Sequence, residues 1–470
     1  MRIGNAYRKA RPAIVGVSPT GGLEMGHLGK RRAGTSRRRK AGRATATAAV
    51  VTLVVAGGTV AVAESMQAPQ QPPPPARQPV AAAATGAATA APPTASPSPR
   101  RRAAAARAAA PGAGPTAAPP QPRVSAATRQ RCAAVSKPVG DGGFYDYAPP
   151  MLEAGEALAG WPAQPEAGHG MDPGRLARAG DALRGVPSMR ALVVVRHGKL
   201  AYERYYGNGS RRQSNNVHSA SKSILQALVG AAVARGALTM DTTVAEALGG
   251  VTTVPAAQGG ITVRQLLTMT SGLDWREDRT EREIARSRDW VAGILRRPRA
   301  GSAFNYSTGN THVLSAMLQA RTGMSTCEFA AETVFGGLGV APERWAVDPK
   351  GVSAGGFNLY LTARELTRFG QLYLDEGRHG GRQVLPKQVV TQARTVTDRR
   401  HAYSAGWWVT RVDGLTVMSA WGWGGQQVSV VPERGLVVTA TQDTSRYDGE
   451  PEQDIDMRRF LADHVLPAVR

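Results

Sequence analysis

Cysteine is scarce in this 470-residue chain. Cys132 and Cys327 are its two thiols, and neither has His or acid neighbours at metal-ligand spacing, so no zinc signal is present. Acids are also short: 35 Asp and Glu stand against 58 Lys and Arg, a formal net charge of +23. No internal repeat is found, and no nucleic-acid-binding motif gathers the basic residues on a folded face. The excess lies elsewhere. Residues 1–43 hold twelve Lys and Arg against Glu24, and residues 64–131 hold eight Arg against Glu64. That leaves +5 for residues 132–470, so the charge belongs to two leading segments and no nucleic-acid partner is expected.

Long apolar runs are lacking too, with one exception. "ATATAAVVTLVVAGGTVAVA", residues 44–63, is uncharged over about the ~20 residues a bilayer crossing needs, but Ala, Thr and Gly dominate and Leu occurs once. The basic "KRRAGTSRRRKAGR" precedes it and Ala-Val-Ala closes it before Glu64. This fits an export signal with an Ala-x-Ala cleavage site, and equally an uncleaved anchor with its N-terminus inside. Either way the remainder is expected outside the cytoplasm, secreted or membrane-anchored. Residues 1–24 are unlike any signal, which makes Met25 an alternative start.

The chain therefore divides into a basic segment (1–43), a signal or anchor (44–63), an Ala/Pro-rich linker (64–131) and a folded body (132–470). The linker cannot bury enough apolar surface to offset chain entropy. It reads as an extended spacer able to cross a cell-wall layer, its Arg residues available to anionic wall polymers. Both cysteines fall in the exported part, where pairing is allowed and would pin the start of the body to its interior.

Within the body, "ALVVVRHGKLAYERYY" (Ala191–Tyr206) reads as a hairpin with His197 in its turn. Ile224, Leu225, Leu228, Ala231 and Ala232 follow a helical period. "ITVRQLLTMTSGL" opens with a capped helix, and helical patterns continue through "NTHVLSAMLQARTG" and "LTARELTRFGQLYLDEG". After Ala405 the pattern turns to strands: "GWWVTRV", "LTVMSAWG", "QQVSVVP" and "GLVVTATQ". A last helix, "DIDMRRFLADHVLPAV", closes the chain. Strands at both ends with helices between predict an α+β fold: one antiparallel sheet made by both ends of the body, flanked by helices, with a helical insertion.

Three stretches carry chemistry. In "VHSASKSILQALVG", Ser219 and Lys222 stand one helical turn apart, so that a desolvated amine could take the hydroxyl proton. Tyr306 and Ser307 immediately precede a helix; a phenol there can shuttle a proton if cations hold its pKa down. "SAWGWGGQQVSVVPE" puts a Gly-rich turn before a strand, where backbone can approach a ligand closely. His218, next to Ser219, points in a different direction from it and reads as a wall or packing residue. Trp407, Trp408, Trp421 and Trp423 cluster in sequence near the third stretch, as core or as the lining of an acyl pocket.

Taken in order, Ser219-Ala220-Ser221-Lys222, Tyr306-Ser307-Thr308 and Ala420-Trp421-Gly422 resemble the three motifs of the serine β-lactamase and penicillin-binding-protein superfamily. The likeness is to its class C-related branch of esterases, D-peptidases and amide hydrolases, including members acting on 6-aminohexanoate oligomers. The resemblance implies that Ser219 forms an acyl-enzyme, that Lys222 and Tyr306 share its proton, and that the backbone N–H groups of Ser219 and Trp423 form the oxyanion hole. Gly422, Gly424, Gln426 and Asn310 are then candidate substrate contacts. No metal or organic cofactor is implied. The third motif usually opens with Lys or His, which binds a substrate carboxylate; Ala420 lacks that charge, which lowers the expectation of β-lactam hydrolysis. Met269 stands where many relatives carry His. The expected activity is hydrolysis of an ester or amide: a short linear amide, a D-peptide or a β-lactam. The alternative is a wall-associated penicillin-binding-like sensor with little turnover.

Overall fold

The structure is a computed structural model that describes residues 124–139, 152–153, 161, 169–277, 279–444 and 455–470. The expected basic segment, signal or anchor, and nearly all of the linker lie outside the described residues. No helix among the described residues is long and apolar enough to cross a membrane.

Seven antiparallel strands form the main sheet: β1 (Met189–Arg196), β2 (Lys199–Tyr205), β3 (Tyr403–Ser404), β4 (Trp407–Val412), β5 (Leu415–Gly422), β6 (Gln426–Val431) and β7 (Leu436–Gln442). Their spatial order is β2-β1-β7-β6-β5-β4-β3. The two ends of the body meet where Val193 pairs with Thr439 and Val195 with Val437. Every residue of β1 is buried, and its period of two divides them between two layers. Ala191, Val193 and Val195 face the larger core, while Leu192 and Val194 face a smaller one. The smaller core is closed by the helix Pro173–Ala182 and by the C-terminal Met457–Val465 segment. The antiparallel sheet built from both ends, predicted from the strand pattern, is present.

On the larger core side lie α1 (Ser221–Ala234), α2 (Thr308–Thr322) and α3 (Ala363–Leu374). Residues 221–232 of α1 are buried without a break, as expected of a helix enclosed on all sides rather than amphipathic. Ser307 caps α2 by accepting the Asn310 N–H at 3.0 Å. Thr362 caps α3 reciprocally with Glu365. A Cβ on Gly370 would lie 2.5 Å from Val428 and 2.9 Å from Val437, so glycine there lets α3 sit close on the sheet.

A second sheet, which the sequence pattern does not reveal, joins Gln213–Asn216 to Leu359–Thr362 and, beyond that, to Arg344–Trp345. It positions the start of α1. The Val217 N–H donates to the Leu359 carbonyl at 2.8 Å, and the Asn216 amide oxygen accepts the His218 N–H at 2.9 Å. Cys132, the one buried residue of the helix Ala126–Val135, is disulfide-bonded to Cys327.

Candidate active site

Ser219 sits in a single 3₁₀ turn, His218–Ala220, that runs directly into α1. His218 holds φ at +45°, an uncommon conformation for a residue with a side chain. The Ser221 hydroxyl donates back to the His218 carbonyl at 2.7 Å and fixes the turn. From the first turn of α1, the Lys222 amine reaches Ser219 Oγ at 2.9 Å. It also contacts Thr308 Oγ1 and the Gly356 carbonyl oxygen, both at 3.0 Å. A Cβ on Gly356 would lie 2.6 Å from Lys222 Cγ, so this loop can close over the lysine only as glycine.

Tyr306 completes the constellation. Its phenol interacts with the Ser219 side chain, and its ring centroid lies 5.0 Å from Lys222 Nζ. Ser219 and Lys222, three residues apart, thus meet the distant Tyr306 in one place.

Electrostatics distinguish the two proton-handling groups. Burial is the main cause that brings the Lys222 amine down to about 8, and the Glu277 and Glu281 carboxyls oppose it. Burial pushes Tyr306 the other way, well above the ordinary phenol, with Tyr403 and Glu277 adding to the effect and the Ser219 side chain opposing it. The expectation that cations lower this phenol is therefore corrected. Tyr306 is thus held in its neutral form, while Lys222 loses its proton far more readily than an ordinary amine.

His218 is not part of the proton path. Burial, and next the Lys222 charge, bring its imidazole down to about 3. Its Nε2 is buried without a hydrogen-bond partner, and its ring meets Trp423 edge-on at 5.3 Å. It packs as a neutral wall, as the sequence suggested.

The glycine-rich stretch lies at the end of β5. Gly422 runs against the nucleophile turn: a Cβ there would collide with the Val217 carbonyl oxygen and lie 3.1 Å from the Ala220 nitrogen. Trp423 follows at once, in a tight turn that Gly424 and Gly425 make with φ of +69° and +76°. Ala420 is fully buried inside β5, so the usual opening cation of this motif has no substitute at that position.

Two candidate substrate contacts are corrected. Asn310 is fully buried; its amide oxygen accepts from the Ser271 hydroxyl at 2.8 Å, and its Nδ2 faces Met269 Sδ at 3.8 Å. Gln426 is likewise fully buried. Its Nε2 donates to the Gln442 carbonyl at 2.6 Å, and its Oε1 accepts the Gln442 N–H at 3.4 Å. Both amides are committed to framework bonds, Gln426 tying the turn after β5 to β7, and neither is available to a substrate.

Sequence reasoning missed Glu277, Glu281, Gly356 and the role of Thr308. Glu277 accepts the Thr308 N–H at 2.7 Å, the Thr308 hydroxyl at 2.8 Å and the Trp275 indole N–H at 2.7 Å. Burial works against its charge. The hydrogen bond with Glu281, the Lys222 amine and the Thr308 donors outweigh burial and hold its carboxyl below the usual range. The one available signal was two acids four residues apart in "WREDRTERE", which reads as a solvated charge run.

Aromatic side chains stand around the reacting groups. Trp408 stacks on Tyr306 at 5.7 Å, Tyr403 meets Tyr306 edge-on at 6.1 Å, and Trp421 meets Trp408 at 6.2 Å. Trp407 is instead buried against Phe369 and Tyr373 in the core.

An uncharacterized protein from Alkalihalophilus pseudofirmus is 24% identical over 229 residues, a match covering 42% of this chain and 62% of that protein. The chain thus spans less than two thirds of that curated relative. A Bacillus anthracis structure named as a 6-aminohexanoate-dimer hydrolase superposes with a TM-score of 0.53 at 19% identity, over 66% of this chain and 93% of that one. A β-lactamase from Mycobacterium bovis gives a TM-score of 0.46 at 20% identity, over 62% of this chain and 98% of that one. The likeness to the Bacillus anthracis structure is one of fold. The Beta-lactamase family profile matches residues 174–463, more than half of the chain and every element of the site just described, and the chain belongs to that family of serine hydrolases.

Proposed function

We propose that this protein is an exported serine hydrolase that cleaves an uncharged ester or amide through an acyl-enzyme on Ser219. The observation that carries the reading is the 2.9 Å contact between Lys222 Nζ and Ser219 Oγ, with the Tyr306 phenol set against the same two side chains.

The unprotonated Lys222 takes the Ser219 proton as Oγ attacks the substrate carbonyl. The backbone N–H groups of Ser219 and Trp423 receive the oxyanion, a contribution typically of a few kcal/mol to the barrier. Tyr306 gives its phenolic proton to the leaving alcohol or amine and regains one from Lys222. The bond from carbonyl carbon to leaving group breaks, and the acyl group remains on Ser219. Water, deprotonated by the same pair, then attacks the ester and restores the enzyme.

Two features support an uncharged acyl group. Ala420 supplies no cation for a carboxylate, and Trp408, Trp421 and Tyr403 gather about Tyr306. Short linear amides and esters fit this chemistry better than β-lactams or D-peptides, which carry a carboxylate.

The test compares the wild-type protein with Ser219→Ala, using a fluorophosphonate and a panel of p-nitrophenyl esters, linear amides, β-lactams and D-peptides. Labelling at Ser219 and sustained turnover of the uncharged substrates are expected, with both lost in the variant. Equal labelling and turnover in the two proteins would falsify the acyl-enzyme. A stoichiometric adduct without turnover would make the protein a sensor instead.

A further inference from the structure

The contacts of Lys222 leave little freedom for its lone pair. A neutral amine has two N–H donors and one acceptor site. The Gly356 carbonyl, 3.0 Å away, can only accept. Thr308 Oγ1, also at 3.0 Å, could accept from the amine or donate to it. The threonine hydroxyl has one proton, however, and that proton is given to Glu277 Oε2 at 2.8 Å. Thr308 is then an acceptor toward Lys222. Both N–H groups are used, and the remaining lone pair points at the third neighbour, Ser219 Oγ.

We infer that Glu277 is a positioning residue for catalysis: by fixing the direction of the Thr308 hydroxyl it turns the Lys222 lone pair onto Ser219. The inference rests on the acyl-enzyme reading and adds to it a group that never touches substrate.

Glu277 is held for this task from several sides. The Trp275 indole and the Thr308 N–H both donate to its other oxygen, Oε1, each at 2.7 Å. Glu281, from the helix Arg279–Ala285, is 2% exposed and helps to hold the Glu277 carboxyl down. Both carboxyls favour the protonated form of Lys222, Glu277 the more strongly. The titratable groups surrounding Lys222 are His218 on its own side, Tyr306 with Tyr403 behind it, and this carboxyl pair. Among the described residues, Glu277 and Glu281 are the acids that favour the protonated amine, so removing the Glu277 charge moves the amine further down.

Glu277→Gln is nearly isosteric but neutral, and its NH₂ group can donate to Thr308. The hydroxyl is then free to turn and occupy the Lys222 lone pair. Single-turnover acylation by p-nitrophenyl butyrate is expected to fall about tenfold or more, and the rising limb of kcat/KM against pH is expected to move to lower pH. A merely structural role would reduce the amount of active enzyme and leave the limb in place. Thr308→Val should lose acylation rate while the limb stays near wild type, because Glu277 keeps its charge. The double variant should be no slower than the slower single one, since the two residues act along one path.

Fluorophosphonate labelling of the wild type separates the levels of failure. A wild type that neither labels at Ser219 nor turns over removes the acyl-enzyme and this inference together. A wild type that labels, with an unmoved limb in Glu277→Gln and additive losses in the double variant, overturns the inference alone. Should Glu277→Gln fail to fold, Thr308→Val decides the point by itself: wild-type acylation there overturns the inference.

Discussion

Gly422, the last residue of β5, lies against the carbonyl of Val217, the residue that opens the nucleophile turn, with no space for a side chain between them. The strand bearing the proposed oxyanion donor Trp423 and the turn bearing Ser219 are thereby in direct backbone contact. Gly422→Ala must separate them. The expected result is a loss of about 100-fold or more in kcat, comparable to removing one oxyanion donor, with an unchanged circular dichroism spectrum. Near-normal kcat in a folded variant would detach Trp423 from the mechanism.

The lowered amine of Lys222 sets the pH profile. Its ordinary value is 10.5, and burial brings it to about 8. The base form is therefore about half of the amine near pH 8, falling tenfold per unit well below it and dominating above it. The value of kcat/KM should rise about tenfold per pH unit on the acid side and level off above 8. Tyr306 gives no limb in this range, because burial moves it up and out of it. A profile flat from pH 6 to 9 would mean that Lys222 is not the base.

His218 links the site to acid stability. The ordinary imidazole value is 6.5, and in the folded chain it is about 3. Between those values the unfolded chain binds a proton that the folded chain does not. Stability therefore rises with pH across this window and is lost as pH falls through it, by up to about 1.4 kcal/mol per unit. His218→Asn keeps a residue that tolerates positive φ and removes the titration. Urea denaturation at pH 7 and pH 4 should show a smaller acid-side loss in the variant than in the wild type. Equal losses would place the sensitivity in other groups.

The helix Ala126–Val135 buries one residue, Cys132, and that residue is bonded to Cys327. With so little apolar contact of its own, the helix depends on the bond for its place. Reduction should raise amide hydrogen exchange across residues 126–135 while fluorophosphonate labelling of Ser219 persists. Retained protection in the reduced protein would show that packing suffices.

Much of this architecture was legible in the chain. The apolar runs on either side of His197 marked the hairpin of β1 and β2, and the helical pattern of "LTARELTRFGQLYLDEG" marked α3. Ser219, Lys222 and Tyr306 were legible because their chemistry constrains residue type. Glu277 and Glu281 were not, since an acid among arginines normally lies in water, and the Thr308 donors that hold Glu277 come from a distant segment. Gln213–Asn216, "QSNN", has no alternation to announce a strand; its pairing with Leu359–Thr362 makes it one. Asn310 and Gln426 misled for the opposite reason: an amide beside a motif looks available until the framework bonds that occupy it are seen.

The pairing of β1 with β7 joins segments about 240 positions apart along the polypeptide. A ribosome that has delivered Ser219, Lys222 and Tyr306 has still not delivered the partner that holds β1 in the sheet. Long-range closure of this kind comes late in folding. The hydroxyl should therefore stay chemically quiet through most of biogenesis and become reactive only as the final strand docks. In refolding, fluorophosphonate reactivity should appear together with amide protection in Leu436–Gln442.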